Sequence, residues 1–323
     1  MLKLFYVIFM NLHRAPYMIP RMRAEADHPQ RYTEEQRYSL VQHAIYLMNK
    51  TGKINTVETG AENLPKQGGY MMYPNHQGKY DVLGIMYTHK SPCSFVMDKR
   101  KSHTILVREF CDLVQAKRLE KDNPRQGITI INQVAKEVAA GKKYILFPEG
   151  GYRFNNKNKV CDFKAGSFKI ALKSHAPIVP IALIDSYKVF NSFHIGPITT
   201  YVHYLKPICY EEYKGMKTQE IADLVKIRIE EKIQQEMQAQ SQTRQQQSGE
   251  TQKKKPELAN WQKVMDNGEY LRSVEMAEEA NYNMIDGLMN NVRKVKDKDK
   301  PRESVLAKLR LNQKKVAKQG KKQ

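Results

Sequence analysis

The sequence predicts an α/β fold with a mostly parallel central sheet flanked by helices, followed by a helical, partly disordered C-terminal extension. Three observations predict it. Strand-like runs alternate with helix-like segments between residues 32 and 238, the pattern that buries a parallel sheet between helices. Apolar residues make up 41% of the 323-residue chain, enough for an ordinary core. From about residue 239 the composition turns polar and then basic.

The order of elements follows from local patterning. Residues 1–31 begin with the apolar run Met1 to Met10 and continue with Arg14, Arg21, Arg23 and Arg31 around Pro16 and Pro20. The run is too short for a secretory signal and lacks an obvious cleavage site. It reads as an interfacial membrane anchor whose arginines meet lipid phosphates. A segment packed on its own domain is the competing reading. Thr33 and Gln36 form a capping box ahead of the helical stripe Leu40, Val41, Ala44, Ile45, Leu47 and Met48, which stops near Gly52. Ile54–Glu58 and Gly69–Tyr73 read as strands, Val82–Thr88 as a helix, Ser94–Met97 as a strand, and 102–114 as helical. Pro124–Ala140 starts with proline in its first turn and stops at Gly141. Tyr144–Phe147, Ile178–Ile184 and Thr199–Ile208 read as strands, with a helix at Gly166–Ser174. The amphipathic stretch 218–238 closes the domain with Ile221, Leu224, Val225, Ile229 and Ile233. Residues 239–260 read as a polar linker and 261–323 as a basic helical extension.

Charge and cysteine content narrow the function classes. The chain carries 54 Lys and Arg against 34 Asp and Glu, a net +20. Beyond residue 250 there are 18 basic and 10 acidic side chains, so +12 belongs to the first 250 residues. Such a balance predicts an anionic partner: phospholipid, phosphorylated substrate or nucleic acid. The four cysteines lie far apart, which rules out a disulfide scaffold and suits a reducing compartment. No run approaches the roughly 20 apolar residues of a membrane span.

Two clusters carry the chemistry. After the strand at Gly69–Tyr73 come Pro74-Asn75-His76-Gln77-Gly78-Lys79-Tyr80-Asp81. His76 and Asp81 are five apart, too far round to face each other on one helix. Across a strand-to-helix turn they can meet. A carboxylate bonded to one imidazole nitrogen leaves the other basic, and that nitrogen can deprotonate a substrate hydroxyl. A loop histidine beside a helix N-cap is the plainer alternative. The second cluster, Ile145-Leu146-Phe147-Pro148-Glu149-Gly150-Gly151-Tyr152-Arg153, ends an apolar strand in glycines that admit phosphate and an arginine that forks toward it. An ordinary strand-to-loop turn would look similar.

Together the clusters resemble the 1-acylglycerol-3-phosphate acyltransferase (PlsC-type) family of glycerolipid acyltransferases. Asn75-His76 followed by four residues and Asp81 is similar to its first block, Phe147-Pro148-Glu149-Gly150 to its third, and Val179-Pro180-Ile181 to its fourth. Gly60-Ala61-Glu62-Asn63-Leu64-Pro65 precedes them, and Phe163-Lys164-Ala165-Gly166 follows the third block. The likeness spans roughly residues 50–215. The second block departs from the family: its basic position falls on Lys121 or on Arg118, and lysine lacks the guanidinium fork. In the third block, Arg153 stands one place later than usual.

The resemblance implies a glycerolipid acyltransferase-like fold. It also implies transfer of a fatty acyl group from acyl-CoA or acyl carrier protein to a lysophospholipid hydroxyl, with 1-acylglycerol-3-phosphate giving phosphatidic acid. His76 is then the general base and Asp81 its orienting carboxylate. Lys121, Arg118 and Arg153 are candidates for the acceptor phosphate, while Glu149 and Gly150 shape the acceptor site. Backbone N–H groups near Gly78 or Gly150 are candidates for the thioester oxyanion. No cofactor or metal is called for, the acyl thioester being a co-substrate. The expected setting is an anionic membrane surface, peripheral and on the cytoplasmic face, with RNA or protein contact through the C-terminal extension. A basic nucleic-acid- or membrane-binding scaffold with little catalysis is the alternative.

Overall fold

The computed structural model describes residues 2–104, 106–153, 156–194 and 196–249. The expected extension over 261–323 lies outside them. Two helices, α1 (Leu2–Asn11) and α2 (Ala15–Asp27), precede the capped helix α3 (Glu34–Gly52). Then follow β1 (Ile54–Thr59), β2 (Tyr70–Pro74), α4 (Asp81–Thr88), β3 (Ser94–Asp98), α5 (Val107–Leu113), β4 (Lys117–Leu119), α6 (Pro124–Ala139) and β5 (Lys143–Ile145). The order closes with α7 (Lys169–Ser174), β6 (Ile178–Ile184), α8 (Tyr187–Phe190), β7 (Ile198–Tyr204), α9 (Tyr210–Tyr213) and α10 (Thr218–Gly249).

The seven strands lie in the order β1-β7-β6-β2-β5-β3-β4. Every pairing is parallel except β6 with β7. The edge pair β1–β7 therefore runs against the other five, a reversal that alternation of strands and helices does not reveal. β2 and β6 are buried along their whole length, as strands covered on both faces must be. Their side chains alternate between two cores. Met71, Tyr73, Ile178, Ala182 and Ile184 pack with residues of α6, α7 and α10. Tyr70, Met72, Val179, Ile181 and Leu183 pack with residues of α2, α3 and α4.

Most expected elements form. The Thr33–Gln36 box closes reciprocally, at 2.9 and 3.2 Å, and α10 buries Ile221, Val225 and Ile229. Others differ. Residues 102–114 split into a short 3-10 turn and α5. α10 runs on past residue 238 to Gly249, into the stretch read as polar linker, because a solvated helix needs no apolar stripe there.

The N-terminal segment is part anchor-like and part docked. Val7 and Met22 are buried against the domain, and Lys3 donates to the Gly196 carbonyl at 2.5 Å. Leu2, Tyr6, Phe9, Met10, Leu12 and Tyr17 stay exposed, Phe9 by 73%. The expectation that the arginines face lipid phosphate is corrected for Arg21 and Arg23. Arg23 grips buried Glu109 of α5 with Nε at 2.9 Å and Nη2 at 2.6 Å, and Arg21 pairs with Glu25 at 3.0 Å. The Arg23 partner lies 86 positions away, whereas the Arg21 partner lies one helical turn on.

Two buried histidines link the core to pH. His89 Nδ1 donates to the Ser91 carbonyl at 2.6 Å, and Nε2 accepts from Tyr70 Oη at 2.7 Å. His203 Nδ1 meets Thr59 Oγ1 at 2.7 Å, while its buried Nε2 has no hydrogen-bond partner among the described residues. Burial pushes both imidazoles down to about 4. An unfolded chain protonates them below about 6.5, so the stability they contribute is complete above that pH and is lost as pH falls toward 4. Each contributes up to about 3 kcal/mol over the window. The urea midpoint should fall between pH 6.5 and 4, and His203→Gln should make the fall shallower. Parallel curves for the two proteins would exclude His203 as a source of the effect.

Candidate active site

Three neighbouring strands, β5, β2 and β6, end side by side, and the residues just beyond them build the site. This is where ligands collect in open α/β sheets. Beyond Pro74, the last β2 residue paired with β6, the Asn75 side chain takes over the ladder. Its Nδ2 donates to the Leu183 carbonyl at 3.1 Å and its Oδ1 accepts the Leu183 N–H at 2.7 Å. One buried amide thus joins the two strand ends and fixes the start of the next loop.

His76 is held from three directions. Its backbone N–H donates to Glu149 Oε1 at 2.9 Å. Its ring stacks on Phe147 at 4.2 Å and meets Tyr152 edge-on at 4.9 Å. Its Nδ1 lies 2.7 Å from Asp81 Oδ2. An ionised carboxylate only accepts, so Nδ1 carries the proton and Nε2 is left with a lone pair. The side chain remains 18% exposed, whereas that of Asp81 is fully buried.

Asp81 opens α4, where the helix dipole favours negative charge. Its Oδ2 also accepts the N–H groups of Gln77 at 2.5 Å and Gly78 at 2.9 Å. Its Oδ1 accepts Ser186 Oγ at 2.5 Å. Gly78 is required for close approach: a Cβ there would sit 2.6 Å from Asn191 Oδ1, the atom that accepts the Lys79 N–H at 3.1 Å. Asp81 is thus the first residue of α4 and not its N-cap, which is Tyr80, and its carboxylate serves the preceding loop and the imidazole.

Glu149 is buried, and burial raises its carboxyl above the usual range, against the pull of the His76 N–H and the nearby Cys161 thiol. Gly150 has φ +75°, and a Cβ there would meet Lys164 Nζ at 2.6 Å. Of the backbone N–H groups near Gly78 or Gly150 considered for an oxyanion, those of the two glycines themselves already have acceptors. The Gly78 N–H is bonded to Asp81, and the Gly150 N–H to the Phe147 carbonyl at 3.1 Å.

The basic candidates separate. Lys121 Nζ lies 3.8 Å from the Cβ position of Gly151 and 3.4 Å from Asp98 Oδ2. Arg118 instead donates to Asp112 Oδ1 at 2.5 Å and to Ser102 Oγ at 3.0 Å. Arg153 is exposed on the same loop as Gly150, and its charge bears on Cys161 and Asp162. The sequence reading missed Ser186, the Phe147 and Tyr152 rings against His76, and Lys164 beside Gly150. Phe147, Tyr152 and Lys164 lay within the quoted motifs, but Ser186 carried no signal.

The segment that holds the strand-end site and the histidine–aspartate pair also matches known proteins. Residues 55–184 match the family model described as Acyltransferase, and residues 267–310 match a domain of unknown function. The 1-acyl-sn-glycerol-3-phosphate acyltransferase of Saccharomyces cerevisiae is 27% identical over 175 residues, covering 52% of this chain and 56% of that protein. That of Borreliella burgdorferi is 28% identical over 156 residues, covering 46% and 60%. The alpha form from Mus musculus is 27% identical over 154 residues, covering 47% and 52%. The chain thus spans about half to three fifths of these relatives. The crystal structure of the 1-acyl-sn-glycerophosphate acyltransferase PlsC from Thermotoga maritima shares the fold, with a TM-score of 0.57 and 17% identity, over 72% of this chain and 95% of that one. The chain is thus similar to 1-acyl-sn-glycerol-3-phosphate acyltransferases over its acyltransferase-matching segment and shares the fold of the Thermotoga maritima structure.

Asn75→Ala should cost roughly 2–3 kcal/mol, because the buried Leu183 N–H is left without its acceptor. Urea denaturation measures it, and a cost under about 0.5 kcal/mol would show that the amide does not join the strand ends.

Proposed function

We propose that the chain moves a fatty acyl group from a thioester to the free hydroxyl of a lysophospholipid, with 1-acylglycerol-3-phosphate as acceptor and phosphatidic acid as product. The observation that carries this reading is the 2.7 Å bond between His76 Nδ1 and buried Asp81 at the mouth of the sheet. His76 Nε2 takes the hydroxyl proton as the substrate oxygen attacks the thioester carbonyl. The tetrahedral adduct then collapses with cleavage of the C–S bond, and the departing sulfur takes the proton back from His76. Asp81 stabilises the imidazolium between the two transfers. A base positioned in this way contributes about 10²–10⁴-fold.

Lys121, Arg153 and Lys164 are the acceptor-phosphate contacts in this reading, with the glycines at 150 and 151 admitting the headgroup between them. Acyl-CoA and acyl carrier protein are the two donors, entering as co-substrates. Both lipids of the reaction reside in a bilayer, so the domain works at a membrane surface, peripherally. No described helix is long and apolar enough to cross a membrane. The exposed apolar side chains of α1 and the turn after it supply the contact. Four free cysteines favour the cytoplasmic face.

His76→Ala should lower turnover at least 100-fold with the fold intact by circular dichroism; near-normal product by mass spectrometry would remove the base assignment. The same assay, run with mixed lysolipids and either thioester, identifies donor and acceptor. Phe9→Asp combined with Leu12→Asp should weaken partition to anionic liposomes in a flotation assay, and added salt should weaken it further. Unchanged partition would refute the contact through α1.

A further inference from the structure

We propose that Ser186 is a positioning residue of the His76–Asp81 pair, holding the carboxylate by its outer oxygen. The inference rests on the reading of His76 as the base.

Asp81 Oδ2 faces three donors: His76 Nδ1 and the N–H groups of Gln77 and Gly78. Oδ1 faces one, the Ser186 hydroxyl, at 2.5 Å. Both side chains are buried, so no bulk water substitutes for that donor. Ser186 Oγ also lies 3.0 Å from Gln77 Oε1. A hydroxyl has one proton, and the carboxylate takes it: the bond is shorter and charge-assisted, while Gln77 Oε1 is already served by the Ser186 N–H at 3.1 Å.

Ser186 is itself fixed. It lies two residues past the end of β6, and Gln77 braces it from the loop after β2. The Gln77 amide is in turn pinned, donating from Nε2 to the Leu183 carbonyl at 2.8 Å and to Asn158 Oδ1 at 2.9 Å. The hydroxyl therefore comes from beyond the strand end to which the Asn75 amide is bonded, and it sets the rotation of the carboxylate about its Cβ–Cγ bond. Without it, Oδ1 has no donor among the described residues. The carboxylate then turns to seek one, and its Oδ2 leaves the line of His76 Nδ1.

The test measures Ser186→Ala and Ser186→Thr in the full chain. Turnover is read by product mass spectrometry, and the His76 Nδ1–H proton by NMR, assigned by its loss in His76→Gln. S186A should lower kcat about 10- to 100-fold with acceptor KM unchanged within about twofold, and its Nδ1–H signal should move upfield or broaden by exchange. S186T keeps the hydroxyl and should restore most of kcat and the signal. If S186A does not fold, Ser186→Cys, a weaker donor of similar size, takes its place with the same expected direction. A folded S186A or S186C with wild-type kcat and signal overturns the proposal, as does a folded S186T as impaired as S186A. The proton signal needs no turnover. An active H76A protein would remove the base reading and leave the test of Ser186 standing.

Discussion

A carboxylate stays ionised inside a protein only where donors replace its water, and the site of this chain is organised around that requirement at Asp81. Four donors converge on it. Two are backbone N–H groups of the loop after β2, one is the imidazole it orients, and one is a hydroxyl from the end of β6. None of these geometries survives unless the ends of β2 and β6 keep their register. The Asn75 amide keeps it, bonding Leu183 on both sides. The asparagine before the histidine is therefore a strand extension in side-chain form.

Glu149 performs a similar task from the other neighbour. It accepts the His76 N–H, so the end of β5 holds the backbone of His76 while the end of β6 holds its carboxylate partner. Phe147 then supplies the stacking face for the ring. The third block of the family pattern is thereby tied to the first by a hydrogen bond and a ring contact. This is a physical reason for the two blocks to occur together, in addition to any contact with the acceptor.

Much of this was legible in the sequence, for identifiable reasons. Strands buried on both faces read as unbroken apolar runs, so β2 and β6 stood out. His76, Asp81 and Glu149 stood out because fixed spacing across a strand-to-loop turn is a local property. Contacts made across the fold were not legible. Ser186 lies 105 positions from Asp81, with no spacing rule connecting them. Glu109 lies 86 from Arg23, so arginines that looked suited only to lipid turned out to have a protein partner. The direction of the β1–β7 pair was hidden because reversal changes pairing without changing periodicity. The Gly78 and Gly150 N–H groups looked available for an oxyanion because glycine signals an accessible backbone and says nothing about what already occupies it.

The two placements of the second-block cation can be separated by what each must give up to meet an anion. Arg118 is partly buried and bonded to both Asp112 and Ser102. Turning it toward a phosphate would break both bonds and leave the Asp112 carboxylate with the more distant Arg108 guanidinium at 3.3 Å. Lys121 is about half exposed and paired with Asp98 at 3.4 Å, the kind of surface pair that typically contributes no more than about 1 kcal/mol. Its four-carbon stem lets the ammonium turn from Asp98 toward the glycine loop at small cost. A lysine here is thus an adjustable contact held in reserve by an acid, in a position where the family pattern has a fixed fork. In the proposed function, contact at this point would rest on charge more than on bidentate geometry.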